Sequence, residues 1–184
     1  MTAPNRAGVK TVGGSPDSIS ATITRPANTT QYTAGDAVTN STSAPVAMTF
    51  SDVALSKGGG GTIADVLLVL SANNTGTLAG DFELWLFQGA AAPTADNDNA
   101  AFTPTDAECA DLVAIVAFEG SDSFVGTATA GAGGNVVYHP SRRALLYTCQ
   151  ADTKDLYGLL VVRNAYTPVT GEIFTVTLKV EQDS

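Results

Sequence analysis

Two-residue alternation of apolar and polar side chains dominates the chain from Ile19 onward. Ile19, Ala21 and Ile23 alternate with Ser20, Thr22 and Thr24, the period of a half-buried strand. Arg25-Pro26 ends that run, and Ala34-Gly35-Asp36 marks a turn inside Tyr32–Val38. Val46, Met48 and Phe50 alternate next. The phase then slips by one residue at Ser51-Asp52 before Val53 and Leu55, which predicts a β-bulge. Gly58-Gly59-Gly60-Gly61 reads as a flexible loop. Thr62–Ala72 is rich in Val and Leu and bounded by Gly and Asn, which favours a central strand. Asp81–Phe87 (DFELWLF) is a strand by its aromatics, and apolar groups on both parities predict partial burial of both its faces.

Thr103–Ala110 is the helix candidate, short, with Thr105 and Glu108 spaced as a capping box. Leu112–Phe118 returns to strand, and Gly120–Gly134 is a long loop of small residues anchored at Phe124-Val125. Four apolar runs follow, Val136–Tyr138, Ala144–Cys149, Leu156–Val162 and Ile173–Val180, the last alternating without a break. The sum is eight to ten strands, one short helix and no fixed repeat. That pattern predicts an all-β chain folded as an antiparallel β-sandwich, with a jelly roll as the leading topology. An immunoglobulin-like sandwich is the alternative, but its Cys…Trp…Cys order is absent because Trp85 precedes both cysteines. Residues 1–18 lack any sustained period and read as an extended N-terminal arm; residues 19–184 read as a single β-sandwich domain.

Composition sharpens the picture. Only 15% of the residues are charged, and the net charge is −9. All eighteen acidic side chains lie at or beyond Asp17, whereas the arm carries Arg6 and Lys10 and no acid. An acidic chain without basic clusters argues against nucleic acid as the main partner and against docking on anionic lipid. The longest apolar run, Val66–Leu70, is too short to cross a bilayer, and Met1–Gly14 has no apolar core of a signal peptide. Cys109 and Cys149 form no metal-type motif and read as buried free thiols, with a single disulfide as the alternative.

Candidate chemistry is thin. His139, the only histidine, stands at a polar corner before Pro140, and no G-x-S-x-G elbow accompanies it. Asp81 and Glu83 share a strand face at a spacing that glycoside hydrolysis could use, but read more simply as acids at the strand's wet end. Asp96 and Asp98 resemble the start of a calcium loop, yet the glycine and glutamate required later in such a loop are Ala101 and Ala107. The glycine run lacks the Lys-Ser/Thr that phosphate binding would need after it. No cofactor or metal is expected.

Two stretches carry a resemblance. Ile23-Thr24-Arg25-Pro26-Ala27-Asn28-Thr29-Thr30-Gln31-Tyr32-Thr33-Ala34-Gly35-Asp36-Ala37-Val38 resembles a segment recurring in virion proteins of tailed bacteriophages. So does Phe82-Glu83-Leu84-Trp85-Leu86-Phe87 followed by Asp98-Asn99-Ala100-Ala101-Phe102-Thr103-Pro104-Thr105-Asp106-Ala107-Glu108. The resemblance implies a non-enzymatic structural role, foremost a capsid decoration (cement) protein, with tail or neck components next. It implies the major capsid protein and copies of the chain itself as partners, in trimers by analogy, with assembly in the host cytoplasm onto the capsid surface. The arm supplies a mechanism, in which Arg6, Val9, Lys10 and Val12 order against a neighbouring subunit. A carbohydrate-binding sandwich and an exported adhesin or pilin are the competing classes, since sandwiches host all these roles.

Overall fold

The computed structural model describes residues 15–73, 80–89, 96–125, 134–140 and 144–183. Its strands are β1 (Ser15–Thr24), β2 (Ala37–Val38), β3 (Met48–Phe50), β4 (Gly60–Asn73), β5 (Phe82–Phe87), β6 (Leu112–Phe118), β7 (Ser123–Val125), β8 (Gly134–Tyr138), β9 (Leu145–Thr148), β10 (Leu156–Val162) and β11 (Ile173–Gln182). The helix α1 (Asp106–Ala110) is capped as its spacing predicts: Thr105 Oγ1 accepts from the Glu108 backbone N–H, and Glu108 reaches back to the Thr105 N–H at 2.7 Å.

All strand pairings are antiparallel, and they form two sheets. One has the order β1-β11-β4-β8-β7, with β9 continuing beside β4; the other runs β2-β10-β5-β6, with β3 continuing beside β10. The first strand therefore pairs with the last, β2 and β3 with β10, β4 with β8 and β9, and β5 with β6. This is one long hairpin rolled upon itself, the two-sheet antiparallel jelly roll.

Alternation seals the interior. Phe174, Val176, Leu178 and Val180 of β11 point inward while Thr175, Thr177 and Lys179 point out. Phe82 of the smaller sheet meets Phe174 and Tyr138 of the larger one edge-on, at 5.6 and 5.8 Å between ring centres. In β4 the inward parity breaks between Ile63 and Val66. There the pairing with β11 skips Ala64, so a bulge puts Ile63, Val66, Leu68 and Leu70 all in the core.

Three local expectations are corrected. The phase slip at Ser51-Asp52 is a turn, with Asp52 at φ 57°, and the ladder irregularities lie instead in β4 and β6. The glycine run is not wholly loop, because Gly60 and Gly61 are strand residues of β4. A Cβ on Gly60 would collide with the Tyr147 carbonyl of β9, and one on Gly61 with the Glu181 carbonyl of β11, so glycine is required by close approach rather than by flexibility. Finally, β1 begins at Ser15, four residues before the alternation becomes legible, with Ser15–Ser18 paired to Lys179–Gln182.

The described part of the connection from β5 to β6, residues 96–105, lies against the outer face of the smaller sheet. Its residues 98–102 bond to the 35–41 segment, and Phe102 meets Trp85 edge-on at 5.1 Å. Leu159 and Val161, on the same outward parity as Trp85, are buried. The double-sided apolar character of DFELWLF is thereby used: one parity faces the core, the other lies on the covered outer face.

Candidate assembly surface

Among the described residues, His139, Asp81, Glu83, Asp96 and Asp98 each have a structural partner. His139 Nε2 lies 2.9 Å from an Asp65 oxygen, and the Lys179 ammonium lies 3.5 Å from the same carboxylate. Burial pushes the Asp65 carboxyl up, but the hydrogen bond and charge of His139, with Lys179 and the Val66 N–H, outweigh it and hold the group below its ordinary value. This is an ion-pair cluster on the interior strands β4 and β11 of the larger sheet, and among the described residues no hydroxyl nucleophile partners His139.

Asp81 accepts from the Gly120 N–H at 2.6 Å and from Asn164 Nδ2 at 2.8 Å. Glu83 accepts from Trp85 Nε1 at 3.1 Å and pairs with Arg163 Nε at 3.3 Å. The two carboxylates serve different neighbours rather than one substrate position. Asp96 accepts the Thr103 N–H at 3.0 Å. No group of three or more His, Cys, Asp or Glu side chains suited to a metal occurs among the described residues. Both cysteines are free; Cys149 is buried as expected, but Cys109, in α1, is exposed.

Asp98 belongs to a feature the sequence did not announce, a buried polar knot. Its carboxylate takes three donors: Tyr32 Oη at 2.6 Å, the Thr39 N–H at 3.1 Å and Arg25 Nη2 at 3.3 Å. Arg25 in turn donates to Tyr32 Oη at 2.9 Å and to Asn28 Oδ1 at 2.9 Å, with its side chain wholly out of water. The Arg25 N–H bonds the Glu172 carbonyl at 3.0 Å. Glu172 is fully buried, accepts the Tyr166 hydroxyl at 2.6 Å, and has one carboxylate oxygen without a partner. The knot ties the end of β1, the 28–39 loop, the β5–β6 connection and the turn before β11. Buried charge of this kind must be paired to be tolerated. In the sequence, Arg25 read only as a strand terminator and Asp98 only as a loop acid, because their partners lie far away along the chain.

With the ionisable interior committed to the scaffold, the surface offers the remaining features. The outer face of the larger sheet carries a hydroxyl ladder, Ser20 with Thr177 at 2.8 Å and Thr22 with Thr175 at 3.0 Å. Val69 stands beside Thr175 on one side and Val137 on the other, so this band of the face has no charge. Asp17, Lys179 and Glu181 lie towards one end of the β1–β11 ladder.

Among the described residues β1 pairs only with β11, and β3 only with β10. Between these two edges lies a groove of about 570 Å³, lined by Ser20–Thr24, Asn40 and Val46–Thr49. None of those side chains is charged. Val46 is 58% exposed there. Natural sheets usually defend such edges with lysine, proline or a bulge. The β1 edge has proline and acid only at its start, at Pro16 and Asp17. Arg6, Val9, Lys10 and Val12 lie outside the described residues.

No protein-family profile matches the chain, and no curated protein does. Among solved structures it is similar to a chain in the capsid of Ralstonia phage GP4, at 15% identity and a TM-score of 0.44, covering 96% of this chain and 90% of that one. A chain of the cyanophage Pam1 capsid matches at 15% identity and a TM-score of 0.34, covering 98% and 92%. A chain from the heated full particle of Israeli acute paralysis virus matches at 12% identity and a TM-score of 0.26, covering 99% and 74%.

Proposed function

We propose that this chain is a non-enzymatic structural protein of a tailed-phage virion, which binds the outside of the capsid and stabilises it. One observation carries the reading. The two stretches that resemble phage virion proteins are far apart in sequence yet fold into one contiguous unit. Arg25 and Tyr32 of the first bond Asp98 of the second, Asp36 bridges to Ala101, and Phe102 seats on Trp85. The resemblance thus follows the parts of the chain that hold the jelly roll together, which fits a shared scaffold. The partners on this reading are the major capsid protein and further copies of the chain. The arm contributes through Arg6, Val9, Lys10 and Val12. Exposed ion pairs add at most about 1 kcal/mol each, so apolar burial and backbone pairing supply the rest.

The test is electron microscopy of the purified protein mixed with capsids that lack it. Saturable occupancy of symmetry-related positions on the capsid exterior, with raised thermal resistance of the particle, is the expected result. Binding only to tail or neck structures, or to none, would overturn it.

A further inference from the structure

We infer that the turn at residues 166–172 is a proton-operated latch on one end of the sandwich, shut while the Glu172 carboxyl holds its proton and opening when the proton leaves, with both sheets intact. The inference stands apart from the capsid role, since it concerns one chain in solution. Three observations carry it.

First, the surroundings of Glu172 suit a neutral group. The residue is wholly buried; the Tyr166 hydroxyl donates to one carboxylate oxygen at 2.6 Å, and the other oxygen has no partner among the described residues. A buried carboxyl tolerates this as an acid but not as an ion, because a charge taken out of water needs a counter-charge and further donors. The charged and titratable groups that act on it are Arg25 from the end of β1, Tyr138 from β8 and Tyr166 from its own turn. The Arg25 guanidinium is already engaged by Asp98, Asn28 and Tyr32. Burial therefore outweighs it and lifts the carboxyl to about 7.

Second, few bonds shut the turn, and they end on the buried knot. Tyr32 and Tyr166 exchange backbone hydrogen bonds at 2.8 and 3.3 Å, and the Arg25 N–H donates to the Glu172 carbonyl at 3.0 Å. The Tyr166 ring lies edge-on to Phe82 at 5.3 Å and beside Tyr32 at 6.4 Å between centres.

Third, the turn can open without unpairing a sheet. Strand β10 ends at Val162 and β11 begins at Ile173, so the turn lies between them rather than in either. Gly171 has φ +64° and open space around it, next to Glu172, which gives the segment a pivot. Opening exposes Tyr32, Tyr166 and Phe82, all now buried.

The test is residue-resolved amide hydrogen exchange by NMR on the full chain, from about pH 4.5 to 9, with rates corrected for the pH dependence of chemical exchange. An opened carboxyl titrates at 4.5 and a closed one at about 7. The opening constant at the Arg25, Tyr32 and Tyr166 amides should thus rise about 100-fold between those values and level off above them. It should exceed that of the β4–β11 ladder amides by about tenfold or more and respond weakly to low urea, as local openings do. Opening constants equal to those of the ladder would overturn the inference, since the turn would then open only with the whole fold. So would a pH-independent constant, or a rise that persists in Glu172→Gln. If Glu172→Gln does not fold, Tyr166→Phe decides: losing the hydroxyl that favours the ion, it should level off at higher pH, and an unmoved levelling would overturn the inference.

Discussion

Tyr166 donates its hydroxyl to Glu172 at 2.6 Å in a pocket sealed from water, and the second oxygen of that carboxylate has no donor. Burial pushes the Glu172 carboxyl up to about 7, against the opposing effects of Tyr166, Arg25 and the Val169 backbone contact. A carboxyl raised on folding takes up a proton more readily in the native state than in the unfolded one. Its contribution is fully favourable below the unfolded value of 4.5 and is lost as pH rises through about 7. Relative to Glu172→Gln, the wild-type protein should gain stability between pH 8 and pH 4.5, by about 3 kcal/mol at most. Urea unfolding of both proteins across that range checks it; parallel curves would show that Glu172 does not titrate there.

Arg25 and Asp98 are joined across the chain with both side chains out of water. Asp98→Ala leaves the guanidinium buried without its counter-charge and strands the Tyr32 hydroxyl. The expected loss is about 3–5 kcal/mol. Replacing both residues together, as Arg25→Met with Asp98→Leu, should cost clearly less than the two single losses summed. Denaturant midpoints for Asp98→Ala, for Arg25→Met and Asp98→Leu singly, and for the double variant measure this.

Gly61 lies where β4 passes between β9 and β11, and a methyl group there would meet the Glu181 carbonyl, the Tyr147 hydroxyl and the Gln182 Cα. Gly61→Ala should destabilise by about 1–3 kcal/mol through overpacking. Gly171→Ala tests a different cause, since Gly171 has φ +64° and open space around it. There the cost is that of a left-handed backbone, about 1–2 kcal/mol. Thermal melting of both variants should show losses; a neutral Gly61→Ala would mean that the strands can part at that point.

The two thiols should differ in reactivity. Cys149 is buried, and desolvation together with the nearby Asp155 pushes its thiol up to about 11. Cys109 is exposed. A thiol-specific colorimetric reagent at pH 8 should titrate one group per native chain, and two once the protein is unfolded. Rapid native reaction of both would contradict the burial of Cys149.

What the sequence determined by itself is whatever depends on near neighbours. The alternation of Ile173–Val180 and of Ile19–Thr24 specified strands and their buried faces, because side chains two apart share a side. Thr105 and Glu108 specified a helix start, because their hydrogen bonds close within one turn. Apolar groups on both parities of Phe82–Phe87 announced a strand covered twice. The tertiary structure decided the rest. Gly60 and Gly61 look like loop residues until β9 and β11 are laid against them. Arg25, Tyr32 and Asp98 look like a strand end and two loop positions until the rolled hairpin brings them together. The groove exists only because β1 and β3 end up as facing edges of two sheets. Hydrogen-bond partners and strand edges are set by pairings between distant parts of the chain, and no local period encodes which segments will meet.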